Sequence, residues 1–498
     1  MSGIRVTYSG FISLGVKFSS IITGLVFTLI VTRTLSTEEY GTWALIGSLM
    51  VYANIINPIV SYWTTRETAR DIESGKTSTI SSGMLSVLGM AIYLIIAYFV
   101  GQQANVDLDV LIFATILIPV MFINQILGAI NMGWKPHGTS IGFIVFEIAK
   151  IPLALLLVYF MDGGLYGAIV ATFVSYLLSI IVLAKYAKSK INGEFQIKDL
   201  KKWIKLSWLP LYRKAPGLIY LSDAVIFSII TGSVTGIAYY TAARTVGMLV
   251  SNTRSISNAV YPKLLSGGKQ EHFQENLVQL FYFAFPISAF SITFAEPALF
   301  ALNPEYQIAS YVVIVLTFRA FLINLSKVSF LALLGIETVD KDKNSTFRDY
   351  MKSKIFMFPT FQFIKDAVYI ASLFLIIFFV NEKYDELDLV FIWATIGLIM
   401  EIPLVIYAFS LIRKSFSLNL DKKIILKYFV ASLLAFGITH ILIDNFLEYH
   451  ETIFEFLPNL LLFAIIGIGI YFGITYLIDN RTRKLTKAIL IELKRKQS

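Results

Sequence analysis

Apolar residues gather along the chain into fourteen blocks of roughly twenty, the length a helix needs to cross a hydrocarbon layer of about 30 Å. They fall near residues 10–32, 41–62, 80–100, 110–131, 138–160, 163–187, 207–232, 235–261, 276–301, 308–335, 357–380, 388–412, 424–445 and 455–478. Short polar segments separate them. In lipid, backbone groups find partners only within a helix or a closed barrel, and blocks this long fit helices. The pattern predicts an all-α integral membrane protein with about fourteen transmembrane helices.

Composition then removes whole classes of function. Of 498 residues, 56% are hydrophobic and 14% aromatic, and the mean hydropathy of +0.70 lies outside the range of soluble domains. The chain has no cysteine, and His137, His272, His440 and His450 are scattered without metal-site spacing, so neither a metal nor a cofactor is expected. Ser74-Gly75-Lys76-Thr77 ends like a phosphate loop, but the first glycine of that pattern would fall at Arg70. External loops are too short for a catalytic domain, so the chain is not expected to be an enzyme. The start, MSGIRVTYSG, lacks a cleavage site, and the first helix is expected to be retained.

The net charge of +9 is mainly a topology signal. Alternate loops divide the lysines and arginines so unevenly that one face keeps only Arg33 and Lys383. The other face carries Arg66, Arg70, Lys76, the run from Lys185 to Lys205 and the basic tail, which predicts cytoplasmic termini in a cell membrane. Attraction to anionic membrane lipids is a secondary consequence, and nucleic acid is not an expected partner. Phe195, Leu200, Trp203 and Ile204 stand among lysines, as in a helix lying in the membrane interface.

Nine basic residues fall inside the spans: Lys17, Lys150, Arg213, Lys214, Arg244, Arg254, Arg319, Lys327 and Lys365. Only Glu147, Asp223, Glu296, Asp366 and Glu401 oppose them. Charges are costly there, and the cationic excess points to an anionic cargo. Glu147 should pair with Lys150 one helical turn away. In the eighth span, Tyr240, Arg244, Gly247, Ser251, Arg254, Ser255 and Asn258 recur at the spacing of one helical face, which should line water. Lys17 in the first span and Arg319 with Lys327 in the tenth are expected to face the same cavity. Guanidinium matches phosphate oxygens better than ammonium does, so Arg244, Arg254 and Arg319 lead a candidate set that includes Lys17, Lys327 and Arg213. The competing reading is an internal ion-pair network in which Asp223 and Glu401 neutralise arginines and serve coupling or gating. The Asn57-Pro58 pair and the Asn124, Gly128, Asn131 face favour helix packing over sugar binding.

The stretch TRTLSTEEYGTWALIGSLM has an echo in IITGSVTGIAYYTAARTVGM at an offset near 197, as in parallel repeats six spans apart. Three segments then carry a family resemblance: R-x-L-S-x-E-E-Y-G-x-W-x-L from Arg33 to Leu45, Arg66-Glu67-Thr68-Ala69-Arg70, and the hairpin from Asp223 to Lys263. With these the chain resembles the polysaccharide transporter family, the Wzx-like oligosaccharide flippases of the multidrug/oligosaccharidyl-lipid/polysaccharide exporter superfamily. The resemblance implies two six-helix lobes around a central cavity, with helices thirteen and fourteen appended. It also implies lipid-linked oligosaccharide as cargo, alternating access as mechanism, and glycosyltransferases or a glycan polymerase or ligase as possible partners. The expected lobes are residues 1–190 and 207–412, joined by a basic amphipathic linker at 191–206 and followed by helices and tail at 413–498. The rivals are a multidrug or cation antiporter of the same superfamily, whose cargo would favour an acidic cavity, and a membrane glycan polymerase or ligase.

A single cysteine placed at Asn105 should react with an impermeant reagent in intact cells, and one placed at Lys201 only after lysis. The reverse pattern would overturn the topology.

Overall fold

The computed structural model describes residues 22–259, 271–337, 339, 347–416 and 421–483, and among them it contains no strand. Among the described residues eleven helices are long and apolar enough to cross a membrane, and one bent pair adds a twelfth. The remaining two of the fourteen expected blocks are the first, described only as α1 (Ile22–Thr34), and the eighth, α12 (Thr235–Gly247), which continues as a 3-10 helix over Met248–Ala259.

The chain forms two compact units. The first holds the chain through Thr241 together with Asp366–Leu389. Its helices after α1 are α2 (Thr37–Ala53), α3 (Pro58–Ala69), α4 (Gly75–Gln103), α5 (Leu108–Ala114), α6 (Leu117–Trp134), α7 (Pro136–Ala154), α8 (Gly164–Ile191), α9 (Ile197–Lys205), α10 (Trp208–Tyr220) and α11 (Asp223–Thr231). Contacts of α10 with α3, and of α11 with α2 and α4, put residues 207–231, expected to open a second lobe, in this first unit.

The motifs of the first unit have physical jobs. Ser36 caps α2 by accepting from the Glu39 N–H at 3.2 Å, while the Glu39 carboxylate accepts from the Ser36 N–H at 2.9 Å. This reciprocal box satisfies two backbone donors that a helix start leaves over. Gly41 follows because the chain closes on it: a Cβ there would lie 2.1 Å from the Val234 carbonyl oxygen. The two echoing turns therefore meet, backbone against backbone. Glu67 of the second motif is buried and accepts from the Trp203 indole at 3.0 Å, with the Lys202 ammonium 4.0 Å away. The amphipathic linker is thus a real helix, α9, moored by a fully buried Trp203.

The second unit holds Ala242–Lys365 and the chain from Val390 onward. Its described helices are α13 (Glu271–Thr293), α14 (Ala295–Leu302), α15 (Ser310–Gly335), α16 (Phe347–Lys352), the first part of α17 (Lys354–Val380), most of α18 (Glu386–Ser415), α19 (Lys422–Phe446) and α20 (Ile453–Ile478). The last two pack on α13 through an aromatic core that includes Tyr282, Phe294, Tyr428, Phe436, Phe456 and Tyr471. Two of its buried phenols find acceptors: Tyr471 donates to the Tyr282 carbonyl at 2.6 Å and Tyr428 to Asp479 at 2.7 Å. Burial works to raise the Asp479 carboxyl, but hydrogen bonds from Tyr428 and from the backbone of Arg481 and Thr482 prevail and hold it below the usual carboxylate range.

Gly41→Ala should be among the most damaging substitutions in the chain, because its methyl meets a backbone oxygen that no rotamer change can move. Thermal unfolding in detergent should show a loss of several degrees or failure to insert, whereas Gly47→Ala, with nothing within 4 Å of its Cβ, should be silent.

Candidate functional site

The feature from which a site can be built is the break between α2 and α3. The chain bends by 59° there, through a 3-10 turn over Asn54–Ile56. Pro58 explains the break, because it cannot donate to the preceding turn and its ring clashes with it. Bending opens a cavity of about 820 Å³ within the first unit. Its walls come from α2 and α3 (Val51 to Thr65), α6 (Asn124 to Met132), α7 (Thr139, Phe143, Phe146), α8 (Tyr176, Ser179, Leu183) and the segment of α10 that runs from Pro210 through Lys214 to Leu218, with Leu221 just after it. Along α6 the lining runs from Asn124 to Met132, roughly 12 Å of helix at 1.5 Å per residue.

The lining is mainly apolar but carries a set of neutral polar groups, and no carboxylate is among its described residues. Asn54, Asn57, Ser61, Thr65, Asn124, Gln125, Thr139 and Ser179 supply amides and hydroxyls, and Tyr62, Phe143, Phe146 and Tyr176 supply ring faces. Among the described lining residues Lys214 is the single charged one; it is exposed and has no ion-pair partner among the described residues. Beside the cavity, Arg66 lies over the Tyr62 ring, 4.6 Å from its centroid. Asn124 donates to Ser179 at 2.7 Å and Asn131 to the Leu183 carbonyl at 2.9 Å. The face expected to join helices does so, yet its Asn124 and Gly128 also line the cavity.

Arg244, Arg254, Arg319 and Lys327, chosen from sequence, are not among the described lining residues. Lys17 falls outside the described residues, and Arg213 belongs to α10. Arg319 is almost wholly buried on α15, where its guanidinium lies against Gly397: a Cβ on that glycine would be 2.3 Å from Arg319 Cζ. Arg244 and Lys327 are half-buried and engaged by neighbours. Arg254 is exposed, without an ion-pair partner among the described residues. Asp223 is buried and accepts from the Tyr369 hydroxyl at 2.9 Å and from the Ala224 N–H.

The eighth span does not keep one helical period along its polar stripe. The α-helix ends at Gly247, and in the following 3-10 turns residues align every three positions instead of every three to four. Tyr240 is buried, and Gly247 packs on Val313 and Leu316. Asn324 holds the tighter turns by donating to the Val250 carbonyl at 2.6 Å and to Thr253 at 2.9 Å.

Two intramembrane lysines are paired. Lys150 lies 3.1 Å from Glu147, whose other oxygen accepts from Thr23 at 3.1 Å, and the ammonium also sits over Phe27 and Phe146. Lys365 lies 2.6 Å from Glu401, both side chains being less than a tenth exposed. Glu401 therefore holds a lysine, where an arginine partner was anticipated.

A family model described as polysaccharide biosynthesis protein matches residues 6–266, just over half of the chain. No curated protein matches the sequence. The fold is similar to an inward-facing multidrug resistance MATE family transporter of the MOP superfamily, at a TM-score of 0.60 and 15% identity over 82% of this chain and 99% of that one. An outward-facing structure under the same description gives 0.50 and 17% identity, over 82% and 95%.

Removing one partner of the Lys365–Glu401 pair leaves an uncompensated charge and should cost about 3–5 kcal/mol, while removing both is close to neutral. Thermal unfolding should show Lys365→Met strongly destabilised and the Lys365→Met, Glu401→Leu double variant near the parent. Equal loss in both would mean that the pair is not what holds α17 to α18.

Proposed function

The chain belongs to the polysaccharide biosynthesis protein family, and we propose that it is a flippase that carries a lipid-linked oligosaccharide from the cytoplasmic to the outer leaflet. The observation that carries this reading is the first unit's cavity, lined by amides, hydroxyls and aromatic rings, with one lysine and no carboxylate among its described lining residues. Sugars are neutral and rich in hydroxyls, and their C–H faces stack on rings. The phosphate or pyrophosphate that joins them to lipid is anionic. Lys214 with its spare charge suits that headgroup, and Arg66 beside the cavity adds a second cation. The lipid tail stays in the bilayer, and no covalent bond is made or broken.

Residues outside the cavity take further parts in the same cycle. Arg254, exposed and unpaired among the described residues, is proposed as a further phosphate contact. Asp223 is proposed as a gating residue through Tyr369, while Glu401 acts through Lys365. Alternating access between two lobes would expose the cavity first to the cytoplasm, on the side of the basic loops. Glycosyltransferases would supply the cargo, and a polymerase or ligase would consume it. The rival reading, a multidrug or cation antiporter, is supported by the likeness in fold but not by the lining, since a cationic drug would meet a lysine and no counter-charge.

Depleting the protein should make lipid-linked oligosaccharide accumulate on the cytoplasmic leaflet. Complementation by Lys214→Ala should fall at least about tenfold, the scale of one lost charge-assisted hydrogen bond. Lys214→Arg should retain most activity. Normal cargo distribution after depletion, together with loss of resistance to cationic drugs, would favour the antiporter.

A further inference from the structure

The break in the second span does more than shape the cavity. Asn57 is the N-cap of α3, a position where Asn ordinarily turns its side chain back to accept from the helix's first N–H groups. Here it does not. The Val60 and Ser61 N–H groups bond to the Asn57 backbone carbonyl, at 3.1 Å each, and the side chain makes no capping bond. Asn57 is only 3% exposed and lines the cavity, and its Nδ2, closed off from water, has no hydrogen-bond partner among the described residues. One turn earlier, Asn54 Oδ1 is also buried on the cavity wall and unpartnered. A donor and an acceptor are thus left without partners one turn apart at a bend in an apolar bundle, where each unmade bond carries a desolvation cost.

Resting on the transport reading above, we propose that Asn54 and Asn57 form a subsite that reads the sugar joined directly to the cargo's phosphate. The ligand chemistry is a neutral group that donates and accepts at once, which a ring hydroxyl and an acetamido group both offer. A charged group is a poor occupant of the amide pair, because neither amide carries a counter-charge. The headgroup is placed by α10, which bears Lys214 and packs against the same 3-10 turn. Tyr62, on the next turns of α3, offers a ring to the sugar's C–H face. In this arrangement the lysine fixes the common part of the cargo and the two asparagines select among sugars. Selection of this kind is steep, because a cargo lacking the group leaves the buried amides unpaired.

The test uses the full chain in nanodiscs and three probes: polyprenyl diphosphate alone, the same lipid carrying one hexose, and the same lipid carrying one N-acetylhexosamine. The parent should bind at least one sugar-bearing probe roughly tenfold more tightly than the bare lipid, and the stronger of the two identifies hydroxyl or acetamido as the group read. Asn57→Leu should erase that preference while leaving affinity for the bare lipid within about twofold. Lys214→Gln should weaken all three alike. Asn54→Leu, at a half-buried position, should erase the preference too and serves if Asn57→Leu melts early. A folded variant that keeps the preference would overturn the proposal and mean that ordered water satisfies these amides. No preference in the parent would overturn it as well and leave the transport reading standing. No binding of any probe by the parent would remove that reading, and this inference with it.

Discussion

The cost of an unpaired polar group away from water governs this molecule. Helices satisfy the backbone, and two of the intramembrane lysines are compensated in pairs: Lys150 with Glu147, Lys365 with Glu401. Polar side chains follow the same rule, as in Asn324 on the 3-10 turns and Tyr428 on Asp479. Against this background, groups left without partners stand out. Asn54, Asn57 and Lys214 line one cavity, and it opens where Pro58 interrupts a span. Groups that are already satisfied contribute stability, whereas unpartnered groups on a cavity wall can be offered to a cargo.

Much of the fold was legible in the hydropathy pattern, because a helix crossing lipid must be long and apolar whatever it packs against. Each block has a helical counterpart among the described residues. The motif at Ser36 and Glu39 was legible too, since capping is local chemistry between residues three apart. What periodicity could not supply is where an α-helix gives way to a tighter one. In the 3-10 part of the eighth span the Val250 carbonyl and the Thr253 hydroxyl are held by Asn324, over seventy positions away, and nothing within the span announces that partner. The polar stripe read along it therefore does not keep one helical period past Gly247.

The site was less legible, for a related reason. A single-helix stripe is visible in sequence, but this cavity takes a few residues from each of several helices, and no one helix shows an excess. Ranking arginine above lysine by its fit to phosphate also drew attention to Arg319, a long side chain that the chain buries against Gly397. Lys214 was among the intramembrane cations but carried no distinguishing neighbour. The available signal was Asn57-Pro58, a helix breaker next to an amide. It reads as packing unless the side chain's missing capping bond is known, and that absence is a fact of three dimensions.

Polarity also bears on the choice between relatives of the same fold. MATE-like architecture is shared by transporters of different cargo, so the fold alone does not decide. Charge does more. A cation entering the first unit's cavity would approach Lys214 without a carboxylate among the described lining residues to offset it, in surroundings where screening by water is weakened. An anionic headgroup meets the opposite situation, and its neutral sugars meet amides and rings. On the proposed reading, the same lysine that attracts the anionic cargo repels a cationic one, so a single charge serves both attraction and discrimination.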